Sequence, residues 1–371
     1  MRIGIPREVK NHEYRVAITP SGVHELTRAG HTVHVEEGAG DGSSIADTDY
    51  KAAGATVART ADEVWGEAEL VLKVKEPVAE EYHRMRPDQT LFTYLHLAAS
   101  RECTDAMLKA GITGVAYETV QPADGSLPLL FPMSEVAGRL APQVGAYHLA
   151  RPSGGRGVLM GGVSGTRPAK VTVLGAGVSG MNAVAVAVGM WADVTLLDLN
   201  VDKLRAADRM YQGRITTVAS NSFEVEQAVA AADLVIGAVL VPGAKAPRLV
   251  SNRMVSGMKQ GSVLVDIAVD QGGCFEDTRP TTHADPVYPV HDSLFYCVAN
   301  MPGAVPNTST YALTNVTLPY VLSIANNGLP AAARADAALM RGINTLDGTL
   351  TYRPVAEAHG LDCAEAPALL A

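Results

Sequence analysis

Residues 171–180 read VTVLGAGVSG, and no other stretch restricts the folding options of this chain so strongly. An apolar run of strand character meets a turn carrying Gly175, Gly177 and Gly180, and a helix-forming run, MNAVAVAVGM, follows at once. A second apolar run, DVTLLD, ends in Asp198, 23 residues after Gly175. Strand, glycine turn, helix and a second strand closed by a carboxylate make a parallel βαβ unit. Each glycine has a physical task. Gly175 permits the tight turn, Gly177 lets a ligand approach the backbone, and Gly180 lets helix and strand pack closely. The helix N-terminus adds unpaired amide hydrogens and a partial positive charge. Such a loop suits a pyrophosphate. Asp198 suits ribose hydroxyls and repels a 2′-phosphate, so the expected cofactor is NAD rather than NADP. The alternative is a glycine turn in an α/β protein of another kind.

The rest of the chain keeps the same rhythm. Short apolar runs alternate with longer amphipathic ones, which predicts an α/β fold with mainly parallel sheets. RIGIP is a first strand, Thr19-Pro20 an N-cap with proline at the first helical position, and Gly30 the end of that helix. HTVHVEE, 69–74, TLFTYL (90–95) and ITGVAY (112–117) are expected strands, with a helix over 101–110 closed by Gly111. Residues 120–133 carry three prolines and a glycine and break the rhythm, a predicted domain boundary. SEVAGRLAPQVGAYHLA, from Ser134, is a connecting helix in which Pro142 should cause a kink or a late start. The stretch from Thr308 to about Met340 is again helical. The expected division is 1–130 and 131–306, with 307–371 as helices returning to the first domain and a cleft at the two crossovers.

Composition narrows the partners. With 371 residues, about two domains are expected. The net charge of −9 argues against nucleic acid or an anionic membrane surface, both of which need basic patches. No run approaches the ~18 apolar residues of a membrane span. Cys103, Cys274, Cys297 and Cys363 are scattered without metal-ligand spacing, as expected for reduced thiols and no bound metal. MRIGIPREVKNHEYR lacks the apolar core of a signal peptide, so a cytoplasmic location is expected.

Ligands gather at the carboxyl ends of parallel strands, and several polar side chains fall there. In LVLKVKEP (70–77) Lys73 and Lys75 would share one strand face, with Lys75 ending the strand beside the site. Lys73, one pleat earlier, is expected to support the site electrostatically or pair with an acidic neighbour, not to act in catalysis. His96 ends FTYL, Asp270 follows VLVDIAV, and Arg15 lies in the loop after the first strand. Structural uses are open for each: an edge-strand lysine, a satisfied core histidine, a turn cap before Gly272-Gly273, a surface pair of Arg15 with Glu13. Together they are chemically coherent. Two cations hold a carboxylate, and a histidine, titrating near ~6.5 when free, shuttles a proton.

These stretches closely resemble the L-alanine dehydrogenase family over essentially the whole chain. MRIGIPREVKNHEYRVAITPSGV, LVLKVKEP, LFTYLHLAAS, AYETVQ, MSEVAGRLA, VLGAGVSG, DLVIGAVLVPGAKAP, VDIAVDQGGCFE and VANMPGAVPNTSTYALTN carry the likeness. The resemblance implies two Rossmann-like domains, a discontinuous catalytic domain and an NAD domain between its halves, assembled as a homo-hexamer. It implies reversible oxidative deamination of L-alanine to pyruvate and ammonia. Arg15 and Lys75 would bind substrate, and His96 and Asp270 would handle protons. NAD contacts would fall on Ser134, Gly175, Gly177, Val178, Ser179, Gly180, Asp198, Lys203, Ser220, Val239, Leu240, Ile267, Asp270, Arg279, Asn300 and Met301. Trp191 and Pro142 depart from the family pattern away from the inferred chemistry. The rival readings are another amino-acid dehydrogenase, a transhydrogenase α-like NAD-binding protein, and a catalytically silent NAD-sensing module, which would not need the polar strand ends.

Overall fold

The computed structural model describes residues 1–239 and 246–370. The chain divides into two compact units, 1–133 with 305–371 and 134–304.

The strands are short and almost wholly apolar, as expected where helices cover both faces of a sheet. In chain order the first unit opens with β1 (Arg2–Ile5), β2 (Thr32–Glu36), β3 (Thr56–Ala58), β4 (Leu70–Leu72), β5 (Thr90–Thr93) and β6 (Thr113–Ala116). The second unit holds β7 (Lys170–Leu174), β8 (Asp193–Asp198), β9 (Thr216–Ala219), β10 (Leu234–Gly237), β11 (Val263–Asp266), β12 (Val287–Val290) and β13 (Ser293–Tyr296). The chain then returns to the first unit with β14 (Ile343–Leu346) and β15 (Thr349–Leu350).

Among the described residues the first sheet has the order β15-β14-β6-β5-β4-β1-β2-β3 and the second β12-β13-β11-β10-β7-β8-β9. Pairing is parallel except for β14 with β6 and β15, and β12 with β13. Both sheets are therefore doubly wound α/β sheets. The strand order reverses between β1 and β4 in one unit and between β7 and β10 in the other. Loops leaving adjacent strands there diverge to opposite faces and open a crevice at the carboxyl ends.

In the second unit alternate residues feed two cores. Val171, Val173, Leu234, Ile236, Val263 and Val265 pack on one face; Val235, Leu264 and Phe295 pack on the other. In the first unit Trp65, Val71, Leu91, Met107 and Val355 share one buried cluster.

The helix after β1 spans Pro20–Arg28, with the Thr19 side chain accepting from the Gly22 amide, and the helix Arg101–Ala110 closes on Gly111 at φ +70°. Four sequence expectations need correction. The connecting helix spans Phe131–Leu149, so it starts before Ser134 and runs through Pro142 without ending. Ala141 and Pro142 are both buried, and packing there outweighs the lost hydrogen bond. Strand β4 stops at Leu72, so Lys75 is not its last residue. Lys73 and Val74 beyond it still bond to the β5 segment, through Phe92 and Tyr94, while Glu8 takes the Val74 amide at 2.6 Å. Strand β11 ends at Asp266, and Asp270 lies beyond it in a short 3₁₀ turn, Val269–Gln271. Finally, the returning segment is not helices alone. Pro306–Asn327, Leu329–Ala335 and Ala337–Gly342 are helical, but the hairpin β14–β15 follows and joins the first sheet.

Candidate active site

Four loops leave the carboxyl ends of β1, β4, β5 and β6 in the first unit, and each delivers charged groups. Glu8, Lys10, Glu13 and Arg15 follow β1; Lys73, Lys75 and Glu76 follow β4; Tyr94 and His96 follow β5; Glu118 follows β6.

Arg15 is 2% exposed. Its Nε donates to Glu13 Oε1 at 2.7 Å, and its Nη1 lies 2.9 Å from Met133 Sδ. The pair with Glu13 is thus buried and not on the surface, and it fixes the plane of the guanidinium. Burial alone would raise the Glu13 carboxyl, but Arg15 and the charge of Lys75 outweigh it and hold the group below its usual range.

Lys73 is fully buried between two carboxylates, Glu8 at 3.0 Å and Glu81 at 2.9 Å. Burial disfavours its charge, yet the two partners prevail and push the ammonium above its ordinary value. Glu8 moves upward, because burial outweighs the attraction of Lys73. Lys75 is half-buried, and its charge acts on both Glu13 and Glu76. The two lysines therefore part company: Lys73 is locked into an ion triad, and Lys75 is the more accessible cation.

His96 adopts φ +48°, and its amide donates to Glu118 Oε1 at 2.6 Å. The Leu95 amide donates to the same carboxylate at 3.1 Å. A left-handed backbone in a non-glycine residue is held here by Glu118, and it aims the ring. The ring is 39% exposed, so it is not a core histidine. Its Nδ1 lies 3.5 Å from Glu76 Oε2, while Lys10 pairs with Glu76 Oε1. The Tyr94 hydroxyl donates to the Leu129 carbonyl at 2.6 Å and anchors the neighbouring loop.

In the second unit the glycine turn follows β7. Gly175 has φ +104°, and a Cβ there would meet the Ala238 carbonyl at 2.8 Å. A Cβ at Gly180 would stand 1.7 Å from the Gly175 carbonyl oxygen. At Gly177 a Cβ would meet nothing within 4 Å, which is open room above the backbone. Gly177 is also the N-cap of helix Val178–Gly189, and no side chain caps its amides. Val178 and Ser179 are half-buried at that terminus. Asp198 ends β8; its carboxylate accepts from the Ala176 amide at 2.6 Å and the Asn200 amide at 2.7 Å. An open glycine turn, uncapped helix amides and an adjacent carboxylate fit a dinucleotide of the NAD type.

The remaining expected contacts are distributed around this turn or away from it. Ser134 is half-buried in the first turns of helix Phe131–Leu149. Ser220 follows β9 and donates its amide to the Asp198 carbonyl at 2.9 Å. Val239 follows β10 beside Gly175, with its Cγ2 3.0 Å from where a Gly175 Cβ would stand. Ile267 follows β11, its amide bonded to the Gly237 carbonyl at 3.0 Å. Lys203 is exposed on helix Val201–Tyr211. Arg279 is exposed and stacks on Tyr288 at 4.0 Å. Asn300 has φ +64° and precedes the buried Met301. Asp270 is exposed in its turn. Leu240 lies outside the described residues.

Sequence reasoning missed most of the carboxylates that organise both sites, and it placed Glu13 only as a surface partner of Arg15. Glu8, Glu13, Glu76 and Glu118 each follow a strand end, a position that could have marked them. Asp266 was also missed. It is fully buried and accepts from the Ala268 amide, the Cys274 amide and the Thr278 hydroxyl, at 3.0, 2.9 and 2.7 Å, pinning the loop that carries Asp270.

Two doubly wound units, one with a dinucleotide turn and one with cations and a histidine at its strand ends, define an oxidoreductase with a nucleotide-binding fold. Comparison with known proteins places it further. Residues 4–137 match the alanine dehydrogenase/PNT N-terminal domain and residues 141–353 the alanine dehydrogenase/PNT C-terminal domain. Alanine dehydrogenases of Mycolicibacterium smegmatis and Mycobacterium tuberculosis are 64% and 63% identical to it, over the full length of each chain. A solved L-alanine dehydrogenase superposes with a TM-score of 0.94 at 51% identity, covering 97% of this chain and 99% of that one. A transhydrogenase from Sinorhizobium meliloti superposes at 0.79 with 28% identity, covering 95% and 99%. The chain belongs to the alanine dehydrogenase/PNT family. Among the described residues, no helix is long and apolar enough to cross a membrane.

Proposed function

We propose that this oxidoreductase carries out the reversible, NAD-linked oxidative deamination of L-alanine to pyruvate and ammonia. The observation that carries the reading is the grouping of Arg15, Lys75 and His96 on loops at the carboxyl edge of one sheet, in a chain that also holds the glycine turn. A nucleotide-sensing module has no use for the first group.

NAD, when bound, supplies the hydride acceptor for the alanine Cα. The second unit's own part is to hold it: Gly175, Gly177 and Gly180 with the amides of Val178 and Ser179 for the pyrophosphate, Asp198 for the ribose. Ser134, Lys203, Ser220, Val239, Leu240, Ile267, Arg279, Asn300 and Met301 complete the contacts in this reading.

In the first unit, Arg15 and Lys75 bind the substrate carboxylate. Glu13 keeps the guanidinium in one orientation, which reduces the entropy lost on binding. Loss of hydride from Cα leaves an iminium, to which water adds; collapse of the carbinolamine expels ammonia. His96 takes the proton released along this path and returns it in reductive amination. Asp270 holds the amine and assists the water steps. A positioned proton shuttle contributes ~10²–10⁴-fold to rate.

The methyl side chain of alanine offers little binding energy, so discrimination against larger amino acids is steric. The reading extends to a homo-hexamer in the cytoplasm, with no nucleic-acid or membrane partner.

The direct test is NADH formation, followed by absorbance, with L-alanine and NAD. Glycine, L-serine, L-lysine and, in reverse, glyoxylate are assayed in turn as alternative substrates. Signal with L-alanine well above the others is expected, and none with L-alanine sinks the proposal.

A further inference from the structure

Glu76 and His96 present an unusual pair of atoms. Glu76 Oε2 and His96 Nδ1 are both buried, neither makes a conventional hydrogen bond, and they face each other at 3.5 Å. Buried polar atoms left without partners are costly unless the arrangement serves a purpose. Because the ring is 39% exposed while Nδ1 is buried, its exposure lies elsewhere on the ring, which leaves Nε2 as the nitrogen for substrate. The other Glu76 oxygen is occupied by Lys10, whose side chain is 42% exposed.

We propose that Glu76 is a positioning residue for His96: its carboxylate holds the proton on Nδ1, keeps Nε2 as the proton-exchanging nitrogen, and stabilises the imidazolium when His96 is charged. Lys10 tempers this effect from the far side of the carboxylate. The inference rests on the reading of His96 as the proton shuttle. It follows the physics by which a carboxylate behind an imidazole selects one tautomer and ring orientation.

The surroundings allow it. Burial pushes the Glu76 carboxyl up, but His96, Lys75 and Lys10 pull harder and hold it at about 2, so it is a carboxylate throughout the working range. The other groups near the pair are Tyr82 and Cys103, whose protons burial holds on, the Tyr94 ring 5.8 Å from the imidazole, and Glu118 on the His96 amide. Among the described residues, the charged groups beside the dyad are therefore Lys10, Lys75 and Glu118.

The test measures pH profiles of kcat and kcat/KM for alanine oxidation in wild type, Glu76→Gln, Glu76→Asp, Lys10→Gln and His96→Ala. Removing the negative charge disfavours imidazolium, so Glu76→Gln moves the acid limb about one unit toward lower pH and lowers kcat about tenfold or more. Glu76→Asp restores part of both, and NADH affinity is unchanged. Lys10→Gln moves the limb the opposite way by a few tenths of a unit. A purely structural role for Glu76 would lower stability without displacing the limb, and would not give shifts of opposite sign at the two positions. Because Lys10 is solvent-exposed, its variant keeps the question open to measurement even if Glu76→Gln folds poorly. If His96→Ala abolishes turnover but neither Glu76→Gln nor Lys10→Gln displaces the limb, the inference is overturned and the function stands. If His96→Ala keeps near-wild-type turnover, the assigned role of His96 fails and the inference falls with it.

Discussion

Lys73 and Lys75 are two residues apart and answer to different physics. Lys73 Nζ is buried with Glu8 and Glu81 within 3.0 Å. Lys73→Ala strands two carboxylates in the interior, a change that costs about 3–5 kcal/mol. Urea unfolding should show that loss, whereas Lys75→Ala should leave the urea midpoint near wild type and raise KM for pyruvate sharply. Equal effects of the two on KM would mean that the pair has been divided wrongly. Glu76 gives a second measurable signature. Its carboxyl is held at about 2, below the unfolded value near 4.5. A depressed carboxyl contributes stability that is fully present above the unfolded value and is lost as pH falls toward 2. The stability gap between wild type and Glu76→Gln, roughly 3 kcal/mol near neutrality by this linkage, should therefore close between pH 4.5 and 2 in thermal melts. Glu8 and Asp266, held upward by burial, act in the opposite sense, and the variant comparison cancels them. Lys73 could be read from sequence as a lysine seeking acidic neighbours. Glu8 as its partner could not, because 65 residues separate them and only the adjacency of β1 and β4 brings them together.

The glycine turn is the element that sequence expresses most fully. Strand, turn, helix and Asp198 stand as expected, because each is set by local backbone demands that a short segment can satisfy. Its glycines are not equivalent. Gly180→Ala would drive a methyl into the Gly175 carbonyl oxygen, 1.7 Å away, so strand and helix must separate. That variant should lose both stability and NADH binding. Gly177→Ala meets no neighbour within 4 Å and should fold with a cost of about 1 kcal/mol from the poorer N-cap. It should nevertheless weaken NADH binding at least tenfold, read by fluorescence titration, because the methyl occupies the room left for the pyrophosphate. Unimpaired binding in Gly177→Ala would remove the turn from the cofactor site. Less legible were the elements whose limits are set by distant partners. Strand β4 stops short of Val74, whose amide goes to Glu8, and the helix Phe131–Leu149 passes Pro142 because its surroundings bury it.

At the scale of the molecule both units repeat one winding, three strands to one side of a central switch and the rest to the other, with polar chemistry at the switch. The alternating sequence disclosed that class but not the closing hairpin. Residues 343–350 are short, and their pairing partner β6 lies more than 200 residues earlier, so no local pattern announces them. The proposed hexamer belongs to this scale. Sedimentation should give a mass near six times the 38.9 kDa chain, and a monomer at assay concentration would refute it.

The same hairpin orders events during synthesis on the ribosome. The second unit is one uninterrupted segment, so it can complete its sheet as soon as residue 304 has emerged. The first unit begins earlier but finishes later: the β6 edge of its sheet stays uncovered until Ile343–Leu350 arrive. The amino-terminal strands therefore wait, partly assembled, through translation of the whole intervening unit, and the first unit is the last part of the protein to mature.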